Sequence, residues 1–200
     1  AGCATMPGAP AVAATRVDAQ ISPFDLQCES RRDPLGIDSP RPRLSWKLRA
    51  SDGARNRVQS AYRITAASTS ALLAAGVADL GDTGKVLAPR QLHIEYDGLP
   101  LASGQRLFWR VQVWDTADQV SVPSAPAWWE MGLLASTDWT GYWISDGSVE
   151  PENEEAFYAD DPAPLFRRSF QIDRPVKTAR LHATGLGYCE MRVNGQPVSD

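Results

Sequence analysis

The sequence predicts an all-β chain, with one complete two-sheet sandwich and then the first strands of a second, incomplete one. Three observations carry this. Leu107 to Asp115 is the longest clean period-2 pattern, with Leu107, Trp109, Val111 and Val113 on one face and Phe108, Arg110, Gln112 and Trp114 on the other. The first set is wholly apolar and the second amphipathic, as in a strand with one face in a sandwich core. Shorter alternating runs recur on both sides of it, separated by turn residues. Only Ser70 to Gly76 suits a helix, one or two turns long and closed by Gly76.

The elements follow in order. Residues 1–20 are rich in Ala, Thr and Pro without a sustained period, and read as a flexible leader. Within it Ala11-Val12-Ala13 has the small-x-small form that ends a secretory signal, and Ala1-Gly2-Cys3 the form that ends a lipoprotein signal. Either pattern puts the protein outside the cytoplasm, periplasmic or secreted, and the second makes it a lipoprotein. A plain flexible leader fits the same residues. Order is expected from Pro23-Phe24-Asp25-Leu26, an edge strand whose Pro removes a ladder donor where it matters least. Pro40 and Pro42 keep the chain extended as a stiff lead-in to Leu44–Leu48, with Leu44, Trp46 and Leu48 on one face. A turn over Asp52 to Arg57 precedes the strand Ala61 to Ala67.

Gly81 to Val86 reads as a turn into a short strand. Its Gly, Asp, Gly and Lys lack the spacing of a phosphate loop, and no helix follows. Leu92 to Tyr96 alternates, and Ala127 to Met131 closes the set. About seven short strands in roughly 110 residues is the count of an immunoglobulin or fibronectin type III sandwich, placed here at residues 21–134. A tyrosine corner would need Tyr near the start of the central strand, where Leu107 and Phe108 stand. That hydroxyl anchor is expected to be missing.

Residues 135–163 read as a linker, aromatic and then acidic. Ser136 to Ile144 holds Trp139, Tyr142 and Trp143 and is expected to dock on a neighbouring domain. Asp146 to Asp161 carries seven carboxylates and no Lys or Arg. Glu152, Glu154, Glu155, Asp160 and Asp161 lack the calcium-loop pattern, so a solvated linker is the better reading than a metal site or an acid–base pair. Over residues 164–200 alternation returns in Leu165–Ile172 and Thr178–Thr184, and Asn194-Gly195 marks a hairpin. A hairpin with an exposed edge is not a stable unit, so this end is expected to continue into more chain or to borrow a partner.

Composition narrows the function. The net charge is -4 and the pI about 5.2, with Lys and Arg scattered apart from Arg31-Arg32 and Arg167-Arg168, so no nucleic-acid partner is expected. No apolar run nears the roughly 20 residues of a membrane helix. Cys3, Cys28 and Cys189 are too far apart for a metal site and odd in number for a disulfide framework. Seven Trp residues fill a core in the plain reading; sugar-stacking on exposed ones, Trp128 or Trp139, is the alternative.

Spaced motifs then converge on one family. Asp33-Pro34-Leu35-Gly36-Ile37-Asp38-Ser39-Pro40, Pro42-Arg43-Leu44-Ser45-Trp46, Gln59-Ser60-Ala61-Tyr62-Arg63-Ile64 and Asp82-Thr83-Gly84-Lys85-Val86 resemble the N-terminal region of bacterial α-L-rhamnosidases of glycoside hydrolase family 78. Trp109 to Asp115, Trp129 to Leu134, Asp138-Trp139, Trp143-Ile144, Phe166 to Phe170, Gly185 to Tyr188 and Asn194-Gly195 continue the resemblance in order. Leu80-Gly81-Asp82 departs from it, since the family usually has an aromatic residue before that Asp, and a packing contact is expected to be lost.

The resemblance implies an exo-acting hydrolase that removes terminal α-L-rhamnose from glycosides and polysaccharides with inversion. It also implies that the acid and base lie on a downstream helical barrel, against which these sandwiches pack. No residue here is assigned a catalytic, cofactor-binding or metal-ligating role, and no cofactor is expected. The competing expectations are a stand-alone carbohydrate-binding module and an adhesion module.

Overall fold

The computed structural model describes residues 21–51, 57–147, 153, 155 and 163–198. The leader with its two signal-like patterns, Asp52–Asn56 of the charged turn and most of the acidic run lie outside them. The chain divides into two units, Ala1–Trp139 and Thr140–Asp200.

In the first unit the strands are β1 (Ile21–Cys28), β2 (Arg43–Ala50), β3 (Gln59–Ala67), β4 (Gly81–Asp82), β5 (Ile94–Glu95), β6 (Arg106–Asp115) and β7 (Ala127–Glu130), with the helix α1 (Ser70–Ala74) after β3. They form two antiparallel sheets, ordered β1-β2-β5 and β4-β3-β6-β7. The all-β sandwich is therefore the observed architecture. Along β6 every second residue is buried, so the predicted alternation and its assignment of faces hold over the whole strand. Thr69 caps α1 by accepting from the Leu72 amide, and Gly76, at φ +78°, follows the helix end.

The core lies between the sheets and is built on aromatic edges. Trp109 and Trp129 meet T-shaped at 6.1 Å, and Tyr96 adds a second edge to Trp129 at 5.3 Å. Trp46 packs on Tyr62 in the same way. Such pairs contribute about 0.5–1.5 kcal/mol beyond area burial, because ring edges meet ring faces of opposite charge. The Trp46 indole donates to Gln59 Oε1 at 3.0 Å, and the Gln59 amide donates to the Ala88 and Arg90 carbonyls, so this buried polar chain is satisfied.

β6 is longer than its partner on one side. β7 pairs only with Arg106 to Trp109, which leaves the second half of that edge open. Two buried serines close it. Ser124 donates its amide to the Val111 carbonyl and accepts from the Val111 amide on Oγ, and Ser121 does the same with Val113. Asp115 Oδ1 then accepts from the Ala117 and Gln119 amides and shapes the turn that brings this segment back.

A tyrosine anchor exists, but upstream of the predicted place. The Tyr96 hydroxyl lies 3.0 Å from the Leu80 carbonyl and 3.2 Å from that of Leu99, both within its donor reach. Gly98 makes room for it: a Cβ there would sit 2.3 Å from the hydroxyl and 2.4 Å from the Leu80 oxygen. No tyrosine stands at the start of β6, as expected, and Tyr96 supplies a hydroxyl contact from the end of β5 instead. The Pro-rich lead-in also does more than stay extended. Ile37 forms a parallel bridge to Met131, and the Glu130, Ile37 and Gly132 amides donate to the Pro34, Glu130 and Ile37 carbonyls, strapping residues 33–37 along β7.

In the second unit, β8 (Arg192–Val193) and β9 (Gln196–Pro197) pair through Asn194 and Gly195, both at positive φ, so the predicted hairpin forms. Strands do not form over Leu165–Ile172 or Thr178–Thr184, contrary to the alternation. Phe166, Phe170, Ile172 and Leu181 are exposed there. A strand needs a neighbour for its backbone groups, and among the described residues these runs have none.

Replacing Ser121 with Ala strands the Val113 amide and is expected to lower stability by about 1–3 kcal/mol in chemical unfolding, whereas Val122→Thr on the exposed face changes little. Gly98→Ala is expected to cost more than Tyr96→Phe, because the former forces backbone apart and the latter removes one hydroxyl, worth about 1 kcal/mol. A Gly98→Ala protein that melted with the wild type would contradict the packing described.

Candidate binding surface

Aromatic side chains are the first place to look for a sugar site, since stacking needs an open ring face. Trp46, Trp109 and Trp129 are wholly buried. Three half-buried outward rings carry cations. The Arg106 guanidinium lies 3.9 Å from the centre of Trp128, Lys85 Nζ 5.0 Å from that of Trp114, and Arg49 4.5 Å from that of Phe24. Arg106 is itself held by Glu130 at 2.9 Å, and Lys85 by Asp118. The candidate Trp128 thus has one face occupied by a fixed cation.

Trp139 remains 45% exposed. It follows the short 3-10 turn Ser136–Asp138, which is tied down from both sides. Asp138 Oδ2 accepts from the Ala135 amide at 3.0 Å and from the Ser103 hydroxyl, while Ser103 Oγ accepts from the Leu134 amide at 2.9 Å. Those bonds hold the Asp138 carboxyl below its ordinary range, the serine contributing most. In the second unit Tyr142 and Trp143 are exposed.

A concavity beside the strap holds no aromatic residue. It is an open groove of about 550 Å³, lined by Glu29, Arg31, Asp38, Arg41, Arg43 and Glu95 among others. Its floor is stiff. Glu29 and Ser30 form a two-residue turn with φ of +48° and +63°, a left-handed geometry that favours Asn and Gly, and Cys28 and Arg31 exchange hydrogen bonds across it. Arg43 fixes the turn, its guanidinium donating to Glu29 at 2.6 and 3.1 Å and its amide at 2.7 Å. This fork lowers the Glu29 pKa and raises that of Arg43.

Next to it, Asp25 Oδ1 accepts from Arg32 and Oδ2 lies 2.7 Å from Lys47, with the carboxylate only 2% exposed. The Arg32 hydrogen bond, and then that of Lys47, hold this carboxyl far below the usual carboxylate range. Asp82 is lowered likewise by Arg63.

The remaining sequence candidates are not brought together. Glu155 is exposed, while Glu152, Glu154, Asp160 and Asp161 lie outside the described residues. Cys28 is buried, its thiol pushed up to about 12 by burial, Cys189 is exposed, and Cys3 lies outside the described residues. Among the described residues no three His, Cys, Asp or Glu side chains cluster as a metal site, and no helix is long and apolar enough to cross a membrane. The groove was missed in the sequence because its lining comes from the first turn, the strap and β5, which only the fold unites.

The sandwich with its strap matches a known family over residues 23–135, that of the Rha78A-like, N-terminal immunoglobulin domain. The chain belongs to that family. The chain is 35% identical over 180 residues to an α-L-rhamnosidase of Streptomyces avermitilis, and 34% identical over 177 residues to one of Formosa agariphila. These alignments cover 83% and 86% of this chain but 17% and 18% of the relatives, so the chain spans under a fifth of their length. Among solved structures, the α-L-rhamnosidase from Dictyoglumus thermophilum matches at a TM-score of 0.59 and 40% identity, over 62% of this chain and 14% of that one. The Streptomyces avermitilis α-L-rhamnosidase complexed with L-rhamnose matches at 0.59 and 39%, over 62% and 12%.

The depressed carboxyls set a pH dependence. A folded-state pKa below the unfolded value of about 4 confers stability that is present above that value and lost as pH falls through the folded one. Melting temperature is expected to be level above about pH 5 and to fall below about pH 4, and less steeply in Asp25→Asn. Parallel wild-type and Asp25→Asn profiles between pH 2 and 7 would remove Asp25 from that role.

Proposed function

We propose that this chain is the N-terminal, non-catalytic part of an inverting α-L-rhamnosidase that hydrolyses terminal α-L-rhamnose from glycosides or polysaccharides. The observation that carries the proposal is the family match together with relatives named α-L-rhamnosidases that align with over four-fifths of this chain. Inversion needs one protonated carboxyl to assist the leaving oxygen and a second carboxylate to activate water, about 6.5–9.5 Å apart. In this reading both come from a helical barrel beyond these residues, and the sandwich serves as scaffold. The exposed Leu165, Phe166, Phe170, Leu186 and Tyr188 of the second unit support that role, since a set of large apolar side chains is ordinarily covered in the working protein. The leader's resemblance to a secretory or lipoprotein signal supports a periplasmic or secreted bacterial enzyme.

The test pairs the intact mass of the natively produced protein with rhamnose release from an aryl α-L-rhamnoside. A mass several times 21.8 kDa with release is expected, and NMR of the first product should show the β-anomer. A native mass near 21.8 kDa with no release would sink the proposal; release of the α-anomer first would remove inversion alone.

A further inference from the structure

The groove beside the strap has features that the scaffold role leaves unused. Its charges balance: Arg31, Arg41 and Arg43 face Glu29, Asp38 and Glu95. An anion or a cation would meet as much repulsion as attraction there, and since Ile37 is buried, Leu35 is the one large apolar side chain of the lining left open to a ligand. Hydroxyl groups fit both halves of this lining, because each donates to a carboxylate and accepts from a guanidinium. The groove is also pre-organised. Its Glu29-Ser30 corner is held in left-handed geometry by the Arg43 fork, and Ile37 is fixed by hydrogen bonds to Glu130 and from Gly132. Residues kept in sparsely populated conformations by surrounding structure gather at ligand clamps.

We propose that this groove binds a neutral carbohydrate chain, with Asp38 and Arg41 at its rim as the acceptor and donor for sugar hydroxyls. Both side chains are exposed, and the Arg41–Asp97 contact of 3.5 Å is a surface pair of small worth to stability. Aromatic rings are absent from the lining, so affinity rests on hydrogen bonds and on the multiplicity of a polymer. That the sugar is rhamnose-bearing rests on the reading under Proposed function.

The test uses the full natural protein and measures its retention by a neutral rhamnan and a neutral galactan in affinity electrophoresis, beside hydrolysis of an aryl α-L-rhamnoside and thermal melting. The double variant Asp38→Ala, Arg41→Ala is expected to weaken polymer retention about tenfold, with kcat, KM and melting temperature unchanged. Ser39→Trp, which fills the groove and removes no ion pair, should do the same. Unchanged retention in both variants would overturn the proposal. Loss of retention together with a lowered melting temperature in both would also overturn it, marking the groove as a seat for another protein segment. A wild type that releases no rhamnose would count against the rhamnosidase reading, while retention by galactan that the variants lose would still uphold the groove.

Discussion

A strand buried in the middle of a sheet must find a partner for every amide and carbonyl on both edges, and β6 sets that demand for the whole sandwich. β3 meets it along one edge for eight residues, and β7 meets it on the other only as far as Trp109. The rest falls to a returning segment without regular strand geometry, in which Ser121 and Ser124 each use an amide and a hydroxyl to replace a missing neighbour. Asp115 directs that return from full burial, with Arg57 3.7 Å from its other oxygen. Around this satisfied strand the aromatic edges of Trp109, Trp129 and Tyr96 can pack without stranded backbone beneath them.

The same economy governs the surface of the first unit. Three outward aromatic rings, Phe24 on β1, Trp114 on β6 and Trp128 on β7, are each lidded by a cation, and two of the three cations are themselves paired to a carboxylate. Flat sheet faces are thereby made polar, which also withdraws those rings from stacking.

Much of the fold was legible in the chain. Period-2 alternation in β6, the Asn194-Gly195 turn and the short Ser70 helix are local patterns, and each appears where its residues place it. Tyr96 was readable only in part: its alternation marked a strand, but the hydroxyl's partners depend on Leu80 and Leu99 being brought to it and on Gly98 being bare. Ser121 and Ser124 look like ordinary loop residues and gain their role from the length mismatch of β6 and β7. The alternation over Leu165–Ile172 misled for the converse reason, since period reports a face to be covered and not the presence of a pairing strand. The groove was invisible because balanced charges spread across sixty-odd positions leave no cluster to notice.

The strap carries a consequence for how the molecule is made. Asp33 Oδ1 accepts from the Trp128 amide across 95 positions, and Pro34 and Ile37 are bound to Glu130 and Gly132. On the ribosome, the strap residues Asp33, Pro34 and Ile37 therefore wait for the last strand of the sandwich before their pairing exists. Contacts of such long range make folding slow and late, and keep the unit open until nearly all of it has emerged from the exit tunnel. Closure then joins both ends of the domain in one step, so a nascent chain stalled short of Gly132 holds a sandwich without its clasp.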